Sequence, residues 1–386
     1  TRAIADIMDD FKKMCPMNRL LQGDVGSGKT IVALMAAIVV IENGCQAAFM
    51  APTEILAEQH YTQVLLYAEK LGLKAVLLTG GGSRSQKGDA YDDIAGGRVD
   101  IVIGTHAIIQ EKVSFRNLGL AVIDEQHRFG VRQRAALKKK GCNADILIMT
   151  ATPIPRTLGL TVYGDLDCSV IDELPPGRVK VTTKLYGERD RKKAYDRIAQ
   201  EIENQRQVFI VYPLVDESDK IDLKNATDMA RTLQNEVFPG YRVGLLHGRM
   251  SGDEKERIMS AFKGKQLDIL VSTTVVEVGI DVPNASLMVI EHAERFGLSQ
   301  LHQLRGRVGR GEHPSHCILL AHAGSTGDAM RRLKIIEQTT DGFKIAEDDF
   351  NIRGPGEFLG VRQSGMPDLR IARALYDVKT LYAARS

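Results

Sequence analysis

Tryptophan is absent from the 386 residues and aromatic side chains make up only 5% of them. This weighs against a protein that grips single strands by stacking bases on aromatic rings; tracking of a phosphate backbone is the more natural mode for any nucleic-acid contact. Cysteine is also sparse. Cys15, Cys45, Cys142, Cys168 and Cys317 lie apart without a CxxC pair, so neither a disulfide framework nor a zinc ribbon is indicated and small buried thiols are expected. His313, His316 and Cys317 stand close together in "EHPSHC", but no second cluster completes a tetrahedral site. No apolar run reaches the roughly 18 residues of a transmembrane helix. The best candidate, "IVALMAAIVVI" at 31–41, suits a buried helix. The amphipathic, partly acidic start "TRAIADIMDDFKKM" resembles neither a secretory signal nor a transit peptide, so a cytoplasmic location is expected. Net charge is only +2, which excludes a broadly basic surface and confines any nucleic-acid contact to a local groove.

What is present is ordinary globular composition, 44% hydrophobic and 26% charged, in a chain long enough for two cores. Short β-branched runs alternate with helical patterns: "QAAFMAP", "KAVLLTG", "VDIVIGT", "LAVIDE" and "DILIMTAT". That rhythm marks βα units around buried parallel strands. After "DELPPGR" at 172–178 it restarts with "RQVFIVYPL", "YRVGLLHG", "LDILVSTT", "SLMVIEHA" and "HCILLAHA". Two α/β lobes follow, 1–174 and 175–325, joined at the Pro-Pro-Gly stretch. Residues 326–386 form a third region: helix, turn at Asp341-Gly342, helix, a glycine-rich loop at 351–365 and a last helix near 369–385.

The segment "LLQGDVGSGKT" fits GxxxxGK[ST] through Gly23, Gly28, Lys29 and Thr30. Asp24, Val25, Gly26 and Ser27 complete a small loop whose amides can turn inward on phosphate. In that pattern Lys29 reaches the β- and γ-oxygens and Thr30 holds Mg²⁺. The context is right too, a short strand "NRLLQ" before and an apolar helix ending at Asn43-Gly44 after. A strand ending "LAVIDEQH" supplies Asp124 for the metal and Glu125 to polarise a water. The adjacent glutamate favours ATP hydrolysis over a switch or a transferase. Lys138 to Lys140 are expected to be a solvated face at a helix end.

Hydrolysis also calls for arginines against the charge growing on the γ-phosphate. "QLHQLRGRVGR" contains QxxGRxGR through Gln303, Gly306, Arg307, Gly309 and Arg310, in the second lobe. Chemical sense follows if the two lobes face each other across the nucleotide. With "APTEILAEQH", "GTHAII", "TATPIPRT", "LLHGRM" and "VSTTVVEVGIDVPNA" in order along the chain, the sequence resembles the superfamily 2 helicases and translocases. The resemblance implies two tandem RecA-like lobes using ATP and Mg²⁺. It assigns Thr53, Thr105, His106, His247, Arg249, Thr273 and Thr274 to the nucleic-acid backbone, alongside the hydroxyl of Ser272. It also assigns Gly279 and Asp281 to the nucleotide, and Thr150 and Thr152 to coupling between ATP and strand. From the residues alone, each threonine reads equally as a strand-end helix cap.

"DEQHRFGVRQR", "TATPIPRTLGLTVYGDLDCSVIDELPPGR", "EHAERFGLSQLHQLRGRVGRG" and "DGFKIAEDDFNIRGPGEFLGVRQSG" go further. They are similar to the RecG family of branch-migrating bacterial DNA helicases, over essentially the whole chain. That likeness implies a motor on duplex and branched DNA, acting as a monomer. It also implies a single-stranded-DNA-binding protein as a partner of other parts of a full-length chain. The tail resembles a translocation motif shared with the transcription-repair coupling factor Mfd, in which Arg353 and Gln363 would couple lobe motion to movement; His127 would sense the nucleotide state. The family's wedge domain and adenine-reading glutamine motif do not occur in these residues, so a motor portion is expected. The other functions weighed are an Mfd-like remodeller displacing RNA polymerase, an RNA helicase and a non-catalytic nucleotide-binding module.

Overall fold

A computed structural model describes residues 2–80, 84–124, 137, 140–141, 144–151, 166–173, 180–213, 227–273, 282–322 and 324–353. The described residues divide into two compact units, one running up to Glu173 and the other from Lys180 onward.

The first unit is a seven-stranded parallel sheet. Its strands are β1 (Asn18–Gly23), β2 (Gln46–Met50), β3 (Ala75–Leu78), β4 (Ile101–Gly104), β5 (Leu118–Asp124), β6 (Asp145–Thr150) and β7 (Asp167–Ile171). They lie in the order β3-β4-β2-β5-β6-β1-β7. Strands such as "QAAFM" and "IVIG" are buried along their whole length, because parallel strands covered on both faces need apolar residues at every position. Among the described residues it carries helices α1 (Arg2–Phe11), α2 (Lys29–Glu42), α3 (Glu54–Leu71) and α4 (Arg84–Ala95). Thr53 caps α3, its hydroxyl accepting from the Leu56 amide, and Gly72 ends that helix in the left-handed conformation at φ 69. Gly104 closes β4 against the Leu78 carbonyl, where a Cβ would collide.

α1 is fastened by charge. Buried Asp10 accepts from Arg19 Nε of β1 at 2.6 Å, while Arg19 Nη1 donates to the Ser169 hydroxyl of β7 at 2.8 Å. Lys140 is not on a solvated face: its ammonium is part-buried and donates to the carbonyl oxygens of Gln110 and Val113. Desolvation holds that amine below the usual lysine range. Three thiols depart from expectation, Cys15 and Cys168 being exposed and Cys45 intermediate, whereas Cys317 is buried as expected and Cys142 lies outside the described residues.

The second unit is a six-stranded parallel sheet: β8 (Thr182–Gly187), β9 (Gln207–Val211), β10 (Val243–Leu246), β11 (Ile269–Ser272), β12 (Ala285–Ile290) and β13 (His316–Ala321). The order is β10-β11-β9-β12-β13-β8. Its helices are α5 (Arg191–Glu203), α6 (Gly252–Lys263), α7 (Leu298–Arg305), α8 (Gly327–Gln338) and α9 (Gly342–Arg353). Ser251 and Glu254 form a capping box at the start of α6. α8 and α9 are the helix-turn-helix read from the sequence, and both pack onto α7. Among the described residues no helix is long and apolar enough to cross a membrane.

Candidate nucleotide and nucleic-acid site

In parallel α/β sheets the ligand-binding residues emerge beyond the carboxyl ends of the strands. β1 ends in Gly23 and passes through the phosphate loop into α2. Gly26 (φ 74) and Gly28 (φ 95) take the left-handed backbone that lets successive amides turn to one side. Gly23 has no room for a side chain, because a Cβ there would meet the Ser27 hydroxyl and Ile171. Asp24 accepts from the Val25 amide at 2.7 Å. Lys29 is buried, and its ammonium donates to the carbonyl oxygens of Gly23 at 2.8 Å and Asp24 at 2.9 Å. Ser27 Oγ is buried without a hydrogen-bond partner among the described residues. Thr30, half-buried, lies in the first turn of α2.

The sheet register brings two further predicted residues to the same edge. Thr150 ends β6 opposite Gln22 of β1, and Asp124 ends β5 opposite Met149 of β6. A cluster of an ammonium, three hydroxyls, a carboxylate and a glycine loop fits a nucleoside triphosphate with its divalent metal. The unpartnered Ser27 hydroxyl within the loop is the observation that carries this fit.

Asp124 has a partner that sequence reasoning missed. His60 Nε2 of α3 lies 2.8 Å from Asp124 Oδ2. His60 stands inside "APTEILAEQH", but nothing in that segment says that its seventh helical residue turns towards a strand end 64 positions later.

Thr53 and Thr105 follow β2 and β4 on the other half of this edge. Thr53 spends one acceptor site on its helix cap. The Thr105 hydroxyl is buried and has no hydrogen-bond partner among the described residues, whereas His106 beside it is exposed.

In the second unit His247, Ser272, Thr273 and Glu291 collect at the carboxyl edge, since Leu246 and Val211 both pair with Ser272 and Ile290 pairs with Val211. Ser272 and Thr273 are wholly buried, Ser272 Oγ donating to the Thr273 carbonyl at 2.7 Å. Their hydroxyls therefore do not face solvent. His247 is half-buried, and desolvation with nearby Lys255 keeps its imidazole below the usual histidine range. Arg249 is exposed. At the same edge Arg191 donates to both oxygens of buried Glu291, at 3.0 and 2.9 Å, a clamp absent from the sequence reading.

Gln303 lies half-buried on α7, Arg307 is buried and Arg310 is half-buried with Nε donating to the Gly306 carbonyl at 3.3 Å. Gly309 takes φ 78. Arg305, between them, donates to the carbonyl oxygens of Ile336 and Thr339 at the end of α8. Arg353 is the last residue of α9, and its side chain lies outside the described residues. Glu125, His127, Thr152, Thr274, Gly279, Asp281 and Gln363 also lie outside them.

Comparison with known proteins fits this layout. Residues 1–160 match the DEAD/DEAH box helicase family, 191–312 the helicase conserved C-terminal domain and 339–386 the C-terminal part of domain 3 of ATP-dependent DNA helicase RecG. The chain is 52% identical over 384 residues to the ATP-dependent DNA helicase RecG of Synechocystis, covering 100% of this chain and 46% of that one. The RecG helicase of Thermotoga maritima is 53% identical over 385 residues, with coverages of 100% and 49%. A solved structure of RecG bound to a three-way DNA junction superposes with a TM-score of 0.81 at 47% identity, covering 99% of this chain and 50% of that one. A point variant of Saccharomyces cerevisiae Dbp5 bound to RNA and ADP BeF3 gives a TM-score of 0.64 at 16% identity, over 92% of this chain and 94% of that one. That likeness is one of fold, two tandem RecA-like lobes. The chain spans about half the length of the curated relatives it matches. With close identity along its full length and a RecG-specific match at its C-terminal end, the chain belongs to the RecG family of superfamily 2 helicases.

Proposed function

We propose that this chain is the ATP-hydrolysing motor of a translocase that remodels branched duplex DNA, by fork reversal and branch migration. One observation carries the reading: identity to a RecG whose structure holds a three-way DNA junction runs over 99% of the chain, from the phosphate loop to the α8–α9 hairpin and beyond. Bound Mg²⁺ would supply charge neutralisation on the β- and γ-phosphates. Thr30 and Asp124 are the proposed holders of that metal, and Lys29 exchanges its two loop carbonyls for phosphate oxygens. The loop amides, held open by Gly26 and Gly28, accept the remaining phosphate charge. Glu125 is the proposed base that orients the attacking water, with Arg307 and Arg310 as countercharges and Gln303 beside them. Gly279 and Asp281 serve the nucleotide in this reading, while Thr150, Thr152 and His127 relay its state.

Exposed His106 and Arg249, with Thr53, His247, Thr274 and the backbone at Thr105 and Thr273, are proposed to position phosphodiesters without reading bases. Arg353 and Gln363 complete the coupling of hydrolysis to movement. The chain is taken to act as a cytoplasmic monomer, and single-stranded-DNA-binding protein is a proposed partner of the longer protein.

The decisive experiment measures ATP hydrolysis by this chain with forked DNA, linear duplex and RNA. Stimulation by DNA above RNA is expected, removed by Lys29→Ala and by Glu125→Gln to below about a hundredth of the parent rate. Equal stimulation by RNA, or none by any DNA, overturns the reading.

A further inference from the structure

The carboxyl edge of the first sheet has two halves. Gly23, Thr150 and Asp124 end β1, β6 and β5, while Thr53 and Thr105 follow β2 and β4. β2 and β5 are neighbours, Met50 pairing with Ile123, so the boundary between the halves falls between them. His60 crosses that boundary. It is carried by α3, the helix that Thr53 caps, and its Nε2 stands 2.8 Å from Asp124 Oδ2.

Both side chains are removed from bulk water, at 9% and 14% relative exposure. His60 Nδ1 is buried and has no hydrogen-bond partner among the described residues. A neutral imidazole in this position satisfies itself best with its one proton on Nε2, donated to the carboxylate, because a proton on Nδ1 would be buried unpaired. The donated bond engages Oδ2 and restrains the plane of the carboxylate. Outer-shell donors of this kind set the orientation of carboxylates that serve metals, and their loss costs about 10–100-fold in metal affinity.

We propose that His60 is the positioning residue for Asp124, holding its carboxylate in the one orientation that serves the nucleotide-bound divalent cation. The inference rests on the reading of Asp124 as the metal carboxylate. His60 itself touches neither nucleotide nor metal, and it makes the start of the Thr53-capped helix and the metal carboxylate parts of one rigid connection.

The test is a titration of this chain with Mg²⁺ in the presence of a fluorescent ADP analogue, reading nucleotide binding rather than turnover. His60→Ala is expected to raise the half-saturating Mg²⁺ about tenfold, at the low end of the outer-shell range, with Mg²⁺-free affinity for the analogue kept within about twofold of the parent. His60→Gln, whose amide N–H occupies the place of Nε2, is expected to return most of the way to the parent. A loss of general packing would weaken Mg²⁺-free binding as well and would not be rescued by Gln, so that pattern overturns the proposal. An unshifted Mg²⁺ midpoint in His60→Ala, where Asp124→Ala abolishes the Mg²⁺ dependence, also overturns it and leaves the reading of Asp124 standing. Unchanged Mg²⁺ dependence in Asp124→Ala removes both.

Discussion

Arg305 of α7 donates from one guanidinium nitrogen to the carbonyl oxygens of Ile336 and Thr339, at 2.8 and 2.7 Å. Its other terminal nitrogen lies 2.9 Å from His302 Nδ1. The last carbonyls of a helix have no partner within it, and a positive charge at that end also meets the negative pole of the helix dipole. Arg305 is itself buried at 3% exposure, so the segment that carries Gln303, Arg307 and Arg310 is tied to the end of α8.

Arg305→Ala should loosen the α8–α9 hairpin more than it disturbs the sheet. Charge-assisted hydrogen bonds are worth about 1.5–3 kcal/mol each, and here one buried and one part-buried carbonyl lose their donor. Amide exchange across 327–353 is expected to accelerate at least tenfold while β9 and β12 keep their protection. If the hairpin is the coupling element, ATP hydrolysis persists while strand displacement per ATP falls. Exchange in the hairpin equal to the parent would show that Arg305 does not hold it.

Gly28 offers a sharper test of the phosphate loop than removal of the lysine. Its φ of 95 is a left-handed backbone, yet no heavy atom lies within 4 Å of an added Cβ. An alanine there meets conformational strain of about 1–2 kcal/mol and no collision, and asparagine tolerates this region better than alanine. Nucleotide affinity should fall in the order glycine, asparagine, alanine, with the Ala variant about tenfold weaker. A fluorescent ADP titration gives the order directly, and alanine binding as well as glycine would mean that the loop does not need this geometry.

The sheets and the phosphate loop are legible in the sequence because their signals are local. A strand buried on both faces must be apolar throughout, as "QAAFM" is, and a loop around phosphate must contain glycines at fixed places, as Gly26 and Gly28 do. Contacts made between distant segments have no such signature. The His60–Asp124 pair joins positions 64 apart, and Arg305 reaches carbonyls 31 and 34 residues away. Gln46 is similar: it opens β2 as a buried polar residue, donating to the Ile94 and Val99 carbonyls and accepting from the Arg116 and Asn117 amides. Gln207 opens β9 in the second sheet in the same manner, donating to the carbonyls of Phe262 and Leu267. Residue type alone also failed to report depth, so Thr105 and Thr273 read as available hydroxyls although both are buried.

Acid should release α1 before it unfolds the sheet. Burial opposes ionisation of Asp10, but hydrogen bonds from Arg19 and Lys13 outweigh it and hold the carboxyl below the usual aspartate value. A group whose pKa is lowered by folding contributes stability that is complete above its unfolded value, about 4, and lost as pH falls through the folded one. Asp10→Asn is therefore expected to cost about 3 kcal/mol at pH 7, the low end for a broken buried pair. Asp6 and Asp167 still stand 3.8 and 4.0 Å from Arg19, which favours that lower figure. Chemical denaturation of parent and variant should show a constant gap from pH 7 to about 5 that narrows below about 4. A gap independent of pH down to 3 would assign the loss to packing instead.

The Arg191–Glu291 clamp should behave as a pair, with single losses worse than the double. Glu291 is 1% exposed at the end of β12 and accepts both bonds from Arg191, with the Tyr212 hydroxyl at 3.5 Å. Burial pushes its carboxyl above the usual glutamate value, and Arg191 is the main force pulling it back. Removing the guanidinium alone, as in Arg191→Met, leaves a buried carboxylate that must either stay charged without a partner or take up a proton. Breaking such a pair costs about 3–5 kcal/mol, whereas replacing both partners with neutral groups of similar volume is often close to neutral. Arg191→Met with Glu291→Gln should therefore recover at least half of the loss of Arg191→Met, a coupling of about 2 kcal/mol in the double-mutant cycle. The single variant should also gain stability as pH falls towards 5, because protonation removes the unpaired charge; the double variant should not. Additive losses with parallel pH profiles would make Arg191 a packing residue whose charge is incidental to the sheet edge.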